Sequence, residues 1–186
     1  PEEPEEGETP AASGPNVMDI DFDALIANET DSTLKDMHEY FRDRTPTEKN
    51  QYTGMFQGKN LLLFTGEAFW IGAVNEQYTP TLYKLAHSGF VFENFYNPLW
   101  YYSTVDGEYA ATTGLIPTNQ VNASQRYAGK NGVSMYFSMG NQLRALGYPT
   151  LAYHNNTANY YDRNLSHPNL GYDFYACDTG LDVAMT

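Results

Sequence analysis

Apolar positions along the chain change their period several times, and each change marks an element. Leu34, Met37, His38 and Phe41 recur at helical spacing behind Asp31 or Ser32, which predicts a capped helix that stops before Thr45-Pro46. His38 on that face reads as a packed histidine. The unbroken run Leu61-Leu62-Leu63-Phe64, entered from Gly58-Lys59-Asn60, predicts a strand buried on both faces at the centre of a parallel sheet. Thr79-Pro80 opens a second helix, with Leu82, Leu85 and Ala86 on one side and Gly89 as its stop. Phe90–Tyr96 is a β-rich run. A helix starts at Ser103-Thr104 and runs to about Thr113-Gly114, and Pro117–Gly132 reads as a polar loop. Met135, Met139, Leu143 and Leu146 form a core-facing helical stripe that Gly147 and Pro149 end. Thr150-Leu151-Ala152-Tyr153 is a further strand, with His154 at its C-terminal end. Strands alternating with helices make the class α/β, a largely parallel sheet flanked by helices.

Charge divides the chain more sharply than hydropathy does. The formal net charge is -13, but ten of the 23 acidic residues precede Lys35, a stretch with no Lys or Arg. Residues 1–16 are acidic, Pro-rich and low in complexity, and are expected to be a disordered linker. Residues 17–58 are a lead-in with a helix, strapped down by Val17, Met18, Ile20, Phe22, Leu25 and Ile26. Residues 59–186 hold the catalytic-type alternation. The body is nearly balanced in charge, and no basic patch points to nucleic acid. Aromatic residues make up 15% of the chain, including 16 Tyr, a composition shared by polyol-handling surfaces and by plain aromatic cores. The single Cys177 permits no internal disulfide and reads as a buried or idle thiol. No apolar run reaches membrane-spanning length, so any membrane anchor lies outside these residues. Asn-x-Ser/Thr sequons at Asn28, Asn122, Asn155 and Asn164 signify glycosylation only in a eukaryotic secretory setting.

The stretch Ser103-Thr104-Val105-Asp106-Gly107-Glu108-Tyr109 carries the candidate chemistry. A hydroxyl on the first turn of a helix faces unpaired backbone N–H groups and the positive end of the helix dipole, a setting suited to phosphate or sulfate. Asp106 and Glu108 are expected to fall in the same first turn, where negative side chains are favourable. The same pattern is also the ordinary signature of a helix start, in which Thr only caps. Glu67 follows the expected strand 61–64, at the sheet edge where open α/β sheets place their ligands, and is a metal-ligand candidate. The segment His154 to Asn164 contains His154, Tyr161 and Arg163, and reads either as a reader of phosphate and hydroxyl groups or as a solvated loop.

Together, Glu67, the Ser103–Glu108 turn, and the His154–Arg163 segment followed by Asn169-Leu170-Gly171-Tyr172-Asp173 resemble the extracellular domain of lipoteichoic acid synthases. Those enzymes belong to the sulfatase and alkaline-phosphatase-like superfamily. The similarity covers most of residues 17–183, including Asp19-Ile20-Asp21-Phe22-Asp23 and Tyr52-Thr53-Gly54-Met55-Phe56. It implies a membrane-anchored, extracytoplasmic enzyme of a Gram-positive-type bacterium that moves glycerol phosphate from phosphatidylglycerol to a polyglycerolphosphate (lipoteichoic acid) chain. It further implies a phospho-threonine intermediate and one divalent ion, Mn²⁺ or alternatively Mg²⁺. Glu67 falls on the metal-binding Glu, Thr104 on the nucleophile and second metal ligand, and His154, Arg163 and Tyr161 on the glycerol-phosphate pocket. Tyr161 stands where the family commonly has Trp, and Asn156 where it has an acidic residue, so the head group stays open. The family's Asp-His metal pair and a further pocket His belong to a C-terminal portion expected beyond Thr186, so this piece alone is expected to be inactive and to bind manganese weakly.

On chemical grounds, a metal-lowered hydroxyl pKa suits a threonine nucleophile, and hard oxygen ligands suit Mn²⁺ or Mg²⁺. Arg163 can grip a phosphate bidentately. Two other functions compete: a phosphoethanolamine transferase or hydrolase of the same superfamily, and a non-catalytic polyol-phosphate-binding fragment. A sulfatase using formylglycine would need Cys/Ser-x-Pro-x-Arg where this chain has Thr104-Val105-Asp106-Gly107-Glu108.

Overall fold

The structure, a computed structural model, describes residues 13–66, 68–96 and 103–182. The chain divides into two compact units, 1–64 and 65–186. Most of the expected linker 1–16 lies outside the described residues. Its last residues are tied down: Pro15 forms an antiparallel bridge with Glu48, and the Asn16 amide donates to the Thr47 carbonyl at 2.7 Å.

In the first unit, α1 (Phe22–Asn28) packs on α2 (Ser32–Arg42). Both starts are capped by aspartate. Asp21 accepts from the Ala24 amide, and Asp31 from the amides of Thr33 and Leu34, which satisfies N–H groups that a helix start leaves without an internal partner. His38 lies 3.7 Å from Glu29, and Leu34 and Met37 are exposed. The expected strand Leu61-Leu62-Leu63-Phe64 is not one. The run lacks regular structure and its side chains face solvent, Leu62 at 78% and Phe64 at 87% exposure. A strand exists through its hydrogen-bonded neighbours, and among the described residues none flanks this run.

The second unit contains α3 (Pro80–His87), α4 (Ser103–Thr113), α5 (Val121–Asn131), α6 (Met139–Ala145), β1 (Leu151–His154), α7 (Arg163–Asn169) and β2 (Asp173–Ala176). Pro80 opens α3, but Thr79 does not cap it. Its hydroxyl instead accepts from the Asn75 amide and donates to the Ala73 carbonyl, tightening the preceding turn. Phe90–Tyr96 likewise forms no strand, and Phe90, Val91, Phe92, Phe95 and Tyr96 are exposed.

The region expected to be a polar loop contains helix α5. Its inward stripe is Val121, Gln125 and Ala128, spaced for one helix face, and Gly132 ends it with φ 62° in the left-handed region. Helix α6 starts later than the Met135 stripe predicts. Ser138, fully buried before it, spends its hydroxyl on the Leu170 carbonyl rather than on a cap.

Strands β1 and β2 pair in parallel, from Leu151 opposite Asp173 to His154 opposite Ala176, with α7 in the crossover and packed on β2. Among the described residues, seven α-helices and this parallel pair make the chain α/β. Helix α5 packs on α7 and on α4, and α4 also meets α6. The buried residues of this unit are Val105, Val121, Ala128, Ala158, Leu170 and Ala176, together with polar groups that include Asp106, Gln125, Thr150, Arg163 and Ser166. Gly129 shows how close the helices come: a Cβ there would sit 2.2 Å from the Leu165 carbonyl oxygen. Cys177 is an exposed free thiol, not a buried one.

Candidate functional site

Thr104 lies on the first turn of α4 and is half-buried, with Val105 and Asp106 behind it in the core. Asp106 belongs to the first turn, whereas Glu108 lies further along the helix and points to another task. Its carboxylate accepts from Arg163 Nε at 3.1 Å and from Nη2 at 2.5 Å. Residues four apart on a helix are surface neighbours, so Glu108 occupies the turn below Thr104.

Arg163 opens α7, and its side chain is only 1% exposed. Beyond Glu108, its Nη1 donates to the Tyr160 carbonyl at 3.2 Å, and its guanidinium lies 5.5 Å from the Tyr160 ring centre and 5.3 Å from that of Tyr161. A buried cation of this kind is tolerated because a carboxylate fork, a carbonyl and aromatic faces replace its water. The two tyrosine rings are 4.5 Å apart, and His154, at the end of β1, stacks on Tyr160 at 6.1 Å. His154 Nδ1 accepts from the Asn156 amide at 3.0 Å, which leaves Nε2 as the nitrogen that carries the proton of the neutral ring.

The turn carrying these tyrosines has an unusual backbone. Tyr161 and Asp162 both adopt positive φ, 56° and 55°, a region that side-chain-bearing residues seldom enter. Arg126 of α5 reaches Asp162 at 3.3 Å and holds the second of them. His167, one turn into α7, packs on Phe174 with ring centres 4.8 Å apart. Burial, then the nearby Arg163 charge, then His154, push its pKa down to about 4.

His154, Tyr161 and Arg163 are therefore brought together around Tyr160, and α4, the helix of Thr104, is joined to them through Glu108. Glu67 lies outside the described residues. Among the described residues no three His, Cys, Asp or Glu side chains are placed to hold a metal ion, and Thr104 is the one expected ligand they include, so they do not make up a metal site by themselves. Sequence reasoning passed over Tyr160, Arg126 and His167, and took Glu108 only for a helix-start charge. The spacing of Glu108 from Thr104 was the one local signal available.

Residues 59–184 match the sulfatase family. The chain belongs to that family. Membership carries a transferase or hydrolase role at family level, in a family whose enzymes are generally dependent on a divalent metal. Over 159 residues the chain is 25% identical to lipoteichoic acid synthase 2 of Bacillus subtilis (strain 168), an alignment covering 80% of this chain and 23% of that protein. The chain thus spans less than a quarter of the length of the curated relative it matches. No solved structure matches it. Among the described residues no helix is long and apolar enough to cross a membrane.

Proposed function

We propose that this sulfatase-family chain serves an extracytoplasmic transferase that moves glycerol phosphate from phosphatidylglycerol to a polyglycerolphosphate acceptor through a phospho-threonine at Thr104. The observation that carries the reading is the hydroxyl of Thr104 on the first turn of α4, on the helix that Glu108 ties to the Arg163, Tyr160 and Tyr161 cluster. The name of the Bacillus subtilis relative supports the same chemistry.

In this reading Thr104 Oγ1 loses its proton and bonds to the lipid phosphorus, and the bond from phosphorus to the diacylglycerol oxygen breaks, that oxygen taking up a proton. The terminal hydroxyl of the acceptor then attacks the same phosphorus and releases Thr104, which regains its proton. The start of α4 places the positive end of its helix dipole on the side of the phosphoryl oxygens. His154 Nε2–H and Tyr161 present a donor and an aromatic face to the glycerol unit, with Arg163 beneath them. A divalent cation, Mn²⁺ or Mg²⁺, held by Glu67, Thr104 and ligands outside the described residues, would offset charge on the phosphoryl group. The setting is the outer face of a Gram-positive-type cell membrane, with anchor and remaining ligands supplied elsewhere in the protein.

Head-group transfer from defined lipid vesicles by the full-length protein tests this reading. Thr104→Ala is expected to abolish release of diacylglycerol while leaving the thermal midpoint in place. Normal turnover in that variant removes Thr104 from the mechanism, and release from phosphatidylethanolamine but not phosphatidylglycerol reassigns the head group.

A further inference from the structure

We infer that Glu108 is a positioning residue: through Arg163 it sets the Tyr160-Tyr161 turn relative to Thr104. The inference rests on the proposed reading in one respect, that Thr104 and Tyr161 serve one reaction. Three observations carry it. Glu108 occupies the turn of α4 next to Thr104, and its carboxylate takes up both Nε and Nη2 of Arg163. Arg163 in turn touches both tyrosines, through the Tyr160 carbonyl and through the two ring faces. The turn itself holds two consecutive side-chain-bearing residues at positive φ, Tyr161 and Asp162, a conformation that persists only where the surroundings over-determine it. Glu108 to Arg163 fixes it from α4, and Arg126 to Asp162 fixes it from α5.

With Arg163 buried and Glu108 a quarter exposed, this pair is weak evidence for stability, since apolar residues of equal volume often do as well. What it supplies in this inference is a register between the elements it joins. Here the joined elements are the nucleophile helix and the ring-bearing turn. The Nε–Nη2 edge of Arg163, whose side chain is 1% exposed, is taken up by Glu108.

The test is a double-mutant cycle in the full-length protein with Glu108→Gln, Arg163→Lys and the pair. It is read as kcat/KM on phosphatidylglycerol vesicles below every variant's unfolding temperature, and as amide hydrogen exchange. Each single change is expected to lower kcat/KM at least 10-fold, with the double variant within about 2-fold of the weaker single, because both remove one coupled device. The amides of Tyr160 and Asp162, which bond to Thr157 and Asn159 carbonyls, should exchange at least 10-fold faster, while the Asp173 amide beside the β1–β2 pair does not change. Full activity in Glu108→Gln with a 10-fold loss in Arg163→Lys overturns the inference, since Arg163 then acts alone. Faster exchange with unchanged kcat/KM in both variants also overturns it, leaving a merely structural pair. If the wild-type protein transfers no head group, the functional reading fails separately, and the exchange arm then decides the geometric part alone: acceleration in both variants supports the tie of the turn to α4, and none refutes it. Should Arg163→Lys not fold, Glu108→Gln decides through the same two readouts.

Discussion

Acidification offers a probe of the core that needs no substrate. His167 is packed against Phe174 and Tyr172 behind Arg163, and its pKa is depressed from an ordinary 6.5 to about 4, chiefly by burial. Between those values the unfolded chain holds a proton on His167 that the folded chain does not. Folding stability is therefore fully present above about pH 6.5 and declines as pH falls toward 4. A depression of this size corresponds to about 3 kcal/mol in full, of which about 2 kcal/mol should be lost between pH 7 and pH 4.5. Urea unfolding at both pH values, on the wild type and on His167→Gln, isolates the effect, because carboxylate titrations common to both cancel in the difference. The variant should start less stable at pH 7, having lost ring packing, and then lose about 2 kcal/mol less on acidification. Parallel pH dependences in the two proteins would refute the burial argument for His167.

Two further substitutions test the packing and the caps. Gly129→Ala places a methyl group 2.2 Å from the backbone carbonyl of Leu165, so helices α5 and α7 must separate, and a loss of about 2 kcal/mol is expected despite alanine's better helix propensity. Gly107→Ala is the control, since nothing lies within 4 Å of its added Cβ; urea midpoints that move alike for both would contradict the close approach. Asp31→Ala removes the acceptor for the amides of Thr33 and Leu34 and should cost α2 about 1 kcal/mol, seen as reduced helical circular dichroism at an intermediate urea concentration; an unchanged signal would show that the cap contributes nothing.

The elements legible in the sequence are those with local punctuation. Asp31 before α2, Pro80 and Gly89 around α3, Gly114 after α4 and Pro149 before β1 all act within a few residues of the boundary they set. Helix α5 escaped because its buried stripe pairs one Val with a Gln and an Ala, so burial there is achieved by small and polar groups that carry no hydrophobic period. The runs 61–64 and 90–96 misled in the opposite direction. A continuous apolar run reports a tendency to be buried and says nothing about whether a neighbouring strand is present. For the site, His154, Tyr161 and Arg163 lie near one another because one segment carries all of them. The partner of Arg163 was invisible, since Glu108 lies 55 residues away and local reading offers helix-dipole chemistry as a sufficient reason for its charge. The left-handed backbone at Tyr161 was equally unreadable, because Tyr rarely adopts it; Asp162, a residue type that tolerates it, was the one local sign.

The proposed phospho-threonine at Thr104 can be sought by mass spectrometry of the full-length protein. The protein would be incubated with phosphatidylglycerol vesicles and Mn²⁺, quenched in acid and digested. The expected result is a peptide containing Thr104 heavier by one glycerol-phosphate unit, with fragmentation placing the group on that hydroxyl, and no such peptide from Thr104→Ala. Head-group transfer that proceeds with Thr104 unmodified, or an adduct on another side chain, would contradict it.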